Sequence, residues 1–554
     1  MSTLSLCAEA IACVTLLLQA NPSGNESPQV GRVLYNGIPL PDRWPPADRP
    51  PTREPMPVPY LDAPPAVIPI DIGRQLFVDD FLIQDTTLKR TYHATTYFPG
   101  NPVLKPDKPW EQEGASQSNP APTAMVFSDG VWYDPQDQRF KMWYMGGYAK
   151  ATCHATSKDG IHWDKPSVDV VPGTNIVQTT TRDSSAVWLD LTEKDPARRY
   201  KLFLYAHPEG AGALSIFFSP DGVHWGERVA ATGPTGDRST VFYNPFRNVW
   251  VYSIRDYDSK GIGRFRRYWE HPDVRAGAKW DAGQPPFWVG ADTLDPPRSD
   301  LKTPCELYNL DAVAYESLLI GLFSIWRGQP KDRPKPNEVC IGFSRDGFHW
   351  HRPAHEPFIP VSERYGDWNW GNVQSAGGGC VVVGDRLYFY VSGRKGVAGS
   401  PASGESSTGL ALLRRDGFAS MDAGEEEGTL TTHPLRFTGK FLFVNVDAPE
   451  GELRVELLDA EKKSVSPFTL DHCVPIKANK TSQQVRWDGV SDLSTLANQP
   501  VRFRFHLRNG RLYAFWVSPD PSGASRGYVA AGGPGFTGPT DTVGTKSVPL
   551  SQDR

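Results

Sequence analysis

The chain has 554 residues, a net charge of −5, 39% hydrophobic and 22% charged residues, too long for one small core and without the basic field that nucleic-acid binding needs. The short basic run at 263–269, "GRFRRYW", would be split between the two faces of a strand. Aromatic residues reach 11%, with 17 Trp, and 51 Gly and 51 Pro promise many turns, so the composition favours short aromatic strands over long helices.

At the N-terminus an apolar run over 11–18 precedes Leu18-Gln19-Ala20, a small-residue cleavage pattern. Residues 1–20 therefore read as a signal peptide and the protein as exported, to a periplasm or beyond the cell. The run is too short to span a bilayer, so no transmembrane anchor is expected. No Lys or Arg precedes it and Glu9 sits beside it, which keeps a buried N-terminal helix open as the other reading. Residues 21–70 form a Pro-rich linker, dense enough in proline over 39–69 to forbid helix and ladder pairing; it tethers the folded body or wraps it. The cysteines past the leader, Cys153, Cys305, Cys340, Cys380 and Cys473, are scattered and lack CxxC spacing. They read as small buried hydrophobes, with no disulfide framework and no metal or cofactor expected.

A motif then repeats: "ATSKDGIHW" at 155–163, "SPDGVHW" at 219–225, "SRDGFHW" at 344–350 and a worn "RRDGF" around Asp416. The interval from Asp221 to Asp346 is twice that from Asp159 to Asp221, so a degenerate copy belongs midway, where the chain reads "GRFRRYWEHPDVRAGAKW". Each of the five units has a strand, a turn, a strongly aromatic second strand, a third strand and the Asp-Gly hairpin, the pattern of a four-stranded propeller blade. The motif itself is structural: Gly permits a positive φ, Ser and Asp tie the turn's own amides, and Trp packs between neighbouring units. The strand-rich segment 74–98 is expected to supply the missing outer strand of the fifth unit, since an unclosed ring leaves an open edge. Residues 71–428 are thus expected as a five-bladed β-propeller, 429–519 as a β-sandwich with Asn509-Gly510 as a hairpin turn, and 520–554 as a flexible tail. The fold class expected is all-β.

Five blades bearing "ATSKDGIHW"-type turns, followed by a sandwich, resemble the invertase and arabinanase superfamily of glycoside hydrolases, families 32 and 43. That resemblance implies three carboxylates at the channel mouth, one at the start of the first strand of each of the first three blades. It thereby implies hydrolysis of O-glycosidic bonds in a polysaccharide or oligosaccharide. "TTRDSSAVWLD" matches the family's Arg-Asp-Pro motif and makes Asp183, after Arg182, the acid that supports the transition state. "TPCELYNLDAV" resembles the family's Glu-Cys context and makes Glu306 the proton donor, although blade counting puts it in blade four, where blade three offers Asp237. In blade one the family's Asn-Asp-Pro is replaced by "SQSNPAPTAMVF", without an acid. Glu111, Glu113, Asp79 and Asp80 are the candidate substitutes. His154, Arg255, Tyr308, Arg327, Trp368, Trp370, Asn372 and Gln374 are candidate sugar contacts, each equally readable as blade packing. A carbohydrate-binding propeller without catalysis, or a phosphorylase or transferase on the same fold, remain the other readings.

Overall fold

The computed structural model describes residues 32–46, 49–114, 121–208, 210–259 and 261–547; the expected signal peptide lies outside them. The fold is all-β, and among the described residues the one α-helix is the four-residue Pro59–Asp62. Among the described residues no helix is long and apolar enough to cross a membrane.

Between residues 124 and 414 five antiparallel sheets follow one another in chain order. Their first two strands are Ala124–Asp134 with Arg139–Gly146, Ser185–Leu189 with Tyr200–Ala206, Thr240–Asn244 with Val249–Asp258, Glu306–Glu316 with Leu318–Trp326, and Asn372–Ser375 with Arg386–Arg394. The first strand of each sheet touches the first strand of the next, and that of the fifth returns to that of the first. Closure is completed at the edge: Thr96–Tyr97 pairs with Ser406–Arg414 as the outermost strand of the fifth sheet.

The repeated turns hold this arrangement. In the first sheet the Ser157 hydroxyl accepts from the amides of Asp159 and Gly160 at 3.2 and 2.8 Å, and Asp159 Oδ1 accepts from those of Ile161 and His162 at 2.8 Å. The same bonds recur at Ser219 and Asp221 and largely at Ser344 and Asp346. Each turn is also bonded from the preceding sheet. Tyr390 donates to the Gly160 carbonyl at 2.7 Å, Trp143 to that of Gly222 at 2.6 Å, and Trp288 to that of Phe348 at 2.7 Å. The turns thus fasten sheet to sheet.

Two further sheets share one core. Phe441–Asp447, Gly510–Ser518, Ala419–Ala423 and Lys89–Tyr92 belong to the first, and Ile83–Thr86, Gly428–Thr432, Arg502–Arg508 and Glu452–Leu458 to the second. Their apolar faces, among them Val444, Phe515, Val455 and Phe505, pack together, as alternation along each strand requires. Strands from 75–92 lie here. Of the segment expected to close the fifth sheet, only Thr96–Tyr97 does so, because the rest pairs with the C-terminal strands.

Two expected loose segments are built in. Leu34, Ile38, Leu40, Tyr60 and Ile68 of the Pro-rich stretch are buried in that same core, so it wraps the body. The expected flexible tail is a correction: residues 519–547 are packed. Tyr528–Val529 pairs with the end of Glu306–Glu316. Ala530 donates to Ala314 O, Ala531 to Cys380 O, and Ala531 O accepts from Tyr133, so the tail ties the ends of the first, fourth and fifth sheets together. Its glycines serve close approach: a Cβ on Gly533 would lie 1.8 Å from the Val382 carbonyl oxygen.

Candidate active site

Antiparallel register decides which residues meet. The starts of the first strands pair with the ends of the second strands: Ala124 with Gly146, Ser185 with Leu204, Thr240 with Ser253, Glu306 with Trp326, Asn372 with Arg394. With the first strands in cyclic contact, those ends form one mouth. Residues just before a first strand, and those ending a second, face each other there though remote in sequence.

Asp183 precedes Ser185–Leu189 and Asp237 precedes Thr240–Asn244. The two carboxyls are close enough to interact. Burial raises the Asp183 carboxyl above the usual carboxylate range and the Asp237 charge raises it further, against the pull of Arg238, Arg182 and Arg394. Asp183 Oδ1 is buried and has no hydrogen-bond partner. Asp237 is partly open and has Arg255 Nη1 3.3 Å from its Oδ1. Arg255 is held by geometry as well, since a Cβ on Gly236 would lie 2.4 Å from its Cδ.

Glu306 begins the first strand of the fourth sheet and accepts from Arg264 Nη1 at 2.5 Å and from the Arg264 amide at 3.1 Å. Arg264 lies over the rings of Tyr308 and Trp326, 5.3 and 5.2 Å from their centroids. Lys335 donates to the Tyr308 hydroxyl at 2.7 Å. Burial raises the Tyr308 phenol, and Asp183 and Asp237 contribute to the rise, placing Tyr308 beside both acids.

Beneath the mouth lies a fully buried polar layer. The strand Ala124–Asp134 loses its regular register between Met125 and Gly130, with positive φ at Phe127 (27°) and Ser128 (67°), a bulge that turns Asp129 inward. Arg182 donates to both Asp129 oxygens at 2.8 Å, and Ser185 donates to Oδ1. Arg182 therefore positions the chain leading into Asp183 and is not itself a surface contact.

Several expected site residues lie elsewhere. Glu111 is fully buried, its oxygens accepting from Tyr144, Lys165 and the amides of Asp107 and Lys108 at 2.7–3.0 Å, which leaves nothing for substrate. Asp80 pairs with Arg90 at 2.5 Å, and Asp79 with Arg345, in the turn of the fourth sheet, at 2.8 Å. Glu113 is bonded to Lys150 on the surface. The acid-free stretch that stands where the family has its first-blade motif begins at Ser116, and its residues 116–120 lie outside the described residues. His154 packs against Trp143 in the core, and burial, assisted by Lys141, pushes its ring down to about 3. Arg327 is buried on Pro296 O, 2.8 Å away, and between Cys305 and Cys340. Trp370 is buried under Arg333, and Trp368 is seated over Gly393 and Gly409, whose hydrogens leave room for its ring. Asn372 and Gln374 bond each other at 2.7 Å within the channel wall, and Asn372 holds Lys335 O at 2.8 Å. Arg255 and Tyr308 do stand at the mouth.

Residues unforeseen from sequence are Lys335, Arg394, Arg264, Tyr148 and Tyr205. Each lies near a strand end at the mouth, Lys335 just before Asn337–Ser344, whose first residue pairs with Trp326, and that position was the available signal. In "GRFRRYW" the alternation sends Arg264 and Arg266 towards the fourth sheet and Arg267 to Asp256.

Cavity size and chemistry part company. A cavity of about 620 Å³ lies at the outer edge of the fifth sheet between Tyr97, Asn101, Arg364, Trp368 and Glu405. Its Asp367 is engaged by Ser362 and Arg364. Convergent acids at the mouth outweigh its volume.

No protein-family profile and no curated protein sequence matches this chain. Solved structures similar to it include a glycosyl hydrolase from Bacteroides ovatus (12% identity, 61% of this chain and 96% of that one, TM-score 0.39). Another is a thermostable family-43 glycoside hydrolase (11%, 55% and 94%, TM-score 0.38). A third is from work on glycoside hydrolases of the GH130 mannoside phosphorylase family (13%, 60% and 97%, TM-score 0.38).

Proposed function

We propose that the protein is a glycoside hydrolase in which five blades, spanning about residues 93–418, carry the site and the paired C-terminal sheets form a β-sandwich beside them. The observation that carries this reading is the interaction of Asp183, buried and with one unpartnered oxygen, with the more open Asp237. Cleavage of a glycosidic bond needs one carboxyl that keeps its proton to give to the leaving oxygen and one carboxylate to attack or to activate water. Burial and a neighbouring negative charge both favour the protonated form of Asp183, which suits it to the first task. Asp237, its anion balanced by Arg255, suits the second. The proton-donor role thus moves from Glu306 to Asp183, and Glu306 becomes the residue that orients Arg264. Trp326, Tyr148 and Tyr205, half-buried at the rim, offer ring faces on which sugar rings stack.

The test is hydrolysis of a glycan panel by the wild type and by Asp183→Asn and Asp237→Asn. Each substitution should lower kcat by about 10²–10⁴-fold while the protein stays folded. Undiminished turnover in both would remove the proposed pair.

A further inference from the structure

The acids at the mouth do not account for the bases there. Arg182 is matched by Asp129, Arg255 by Asp237 and Arg264 by Glu306. Lys335 and Arg394 have no such match. Among the described residues Lys335 donates only to the Tyr308 hydroxyl, at 2.7 Å, and lies 4.5 Å from that ring's centroid. Arg394 donates to Ser403 Oγ at 2.9 Å and stands 5.6 Å from the Tyr148 ring, with its Nε buried and unpartnered. Among the described residues no carboxylate lies within salt-bridge distance of either. Below them Arg238 is fully buried over Phe127, its Nε and Nη2 without partners. Grouping unpaired cations is costly in a low-dielectric setting. The cost shows at Lys335, whose ammonium is brought down to about 8 by burial first and then by Arg394 and Arg264.

A neutral sugar does nothing to offset this: its hydroxyls bond as well to amides and carboxylates. An anionic substituent does, forming charge-assisted bonds to a lysine and an arginine fork that have no carboxylate in salt-bridge contact. Resting on the glycosidase reading, we infer that the substrate is an acidic glycan whose anionic group, a uronate carboxylate or a sulfate ester, is bound by Lys335 and Arg394 beside Asp183. Tyr308, on which Lys335 is seated, sets the height of that group over the acids.

The experiment separates this inference from the reading beneath it by measuring binding apart from turnover. Asp183→Asn protein is titrated calorimetrically with uronate oligosaccharides, with sulfated oligosaccharides, with the neutral counterpart of each, and with inorganic phosphate. At least one acidic series should bind 10-fold or more tighter than its neutral counterpart, and the preferred series identifies the substituent. In wild type the advantage should shrink as salt is raised. In Lys335→Met, a partly exposed site whose fold is checked by thermal unfolding, it should fall about 10-fold, or about 1.4 kcal/mol. Equal affinity for neutral and acidic sugars, binding of phosphate alone, or no binding of any acidic probe would overturn the inference. Acidic glycans that bind yet are not cleaved by wild type would leave it standing and overturn hydrolysis instead.

Discussion

Asp183 gathers most of the chemistry at the scale of single residues. Its carboxyl is raised chiefly by burial and next by Asp237, so removing the Asp237 charge should lower it. Carbon-13 NMR titration of the Asp183 carboxyl should show a downward shift in Asp237→Asn and an upward one in Arg394→Met, because that substitution deletes a cation that favours the anion. A donor must hold its proton, so the rate should fall as pH rises through the Asp183 value, and substitutions that lower that value should move the decline to lower pH. His154 is the opposite case. Its ring is buried, both nitrogens lack partners and it is held neutral. Unpaired buried polar atoms cost stability, so His154→Phe should leave turnover unchanged and leave the unfolding midpoint equal or higher. A loss of sugar affinity in that variant would restore the role expected from sequence.

The Asp-Gly turn is the unit at the scale of elements. Gly222 has a φ of 81°, and a Cβ there would come 2.4 Å from the Trp143 ring. Gly222→Ala thus combines left-handed strain with a clash against the adjacent sheet and should cost about 1–3 kcal/mol in denaturant unfolding. The turn aspartates also make the fold acid-sensitive. Burial alone would raise Asp159, but hydrogen bonds from His162 and nearby amides overcome it and hold the carboxyl down to about 2, below the usual 3.8; Asp221 is lowered in the same way. A carboxyl depressed on folding contributes stability above its unfolded value, and that contribution is lost as pH falls through the folded one. The stability gap between wild type and Asp221→Asn should be widest above about pH 4 and close on acidification.

The worn fourth copy of the motif matters most at the scale of the whole molecule. Asp416, at a φ of 62°, accepts from Arg74 at 2.8 Å, from Tyr315 at 2.6 Å and from Asn445 at 2.9 Å. It thereby joins the N-terminal wrap, the fourth and fifth sheets and the C-terminal pair. Glu316 and Arg415 extend the cluster to Ser525 and Asp541 of the tail. Breaking one member of a buried ionic set leaves its partners uncompensated, so Arg74→Met should cost about 3–5 kcal/mol in equilibrium unfolding. A chain ending at residue 518 should lose stability through the same cluster.

Local pattern sufficed for whatever depends on near neighbours. Alternation and Asp-Gly spacing made the strands, the turns and the all-β class legible, because strand propensity and positive φ are properties of a few adjacent residues. Asp183 follows from its likeness to a family motif and Asp237 from the corresponding place in the next unit, and both precede first strands. Tertiary structure alone decided the rest. Glu111 and His154 look available in sequence and are consumed in the core, whereas Lys335 and Arg394 look ordinary and meet at the mouth. The Gly-rich tail reads as loose because composition records freedom, not close approach, and only the ends of three sheets meeting around it explain why it is held. Which side chains share a pocket depends on the register and closure of remote strands, and no short stretch of chain encodes that distance.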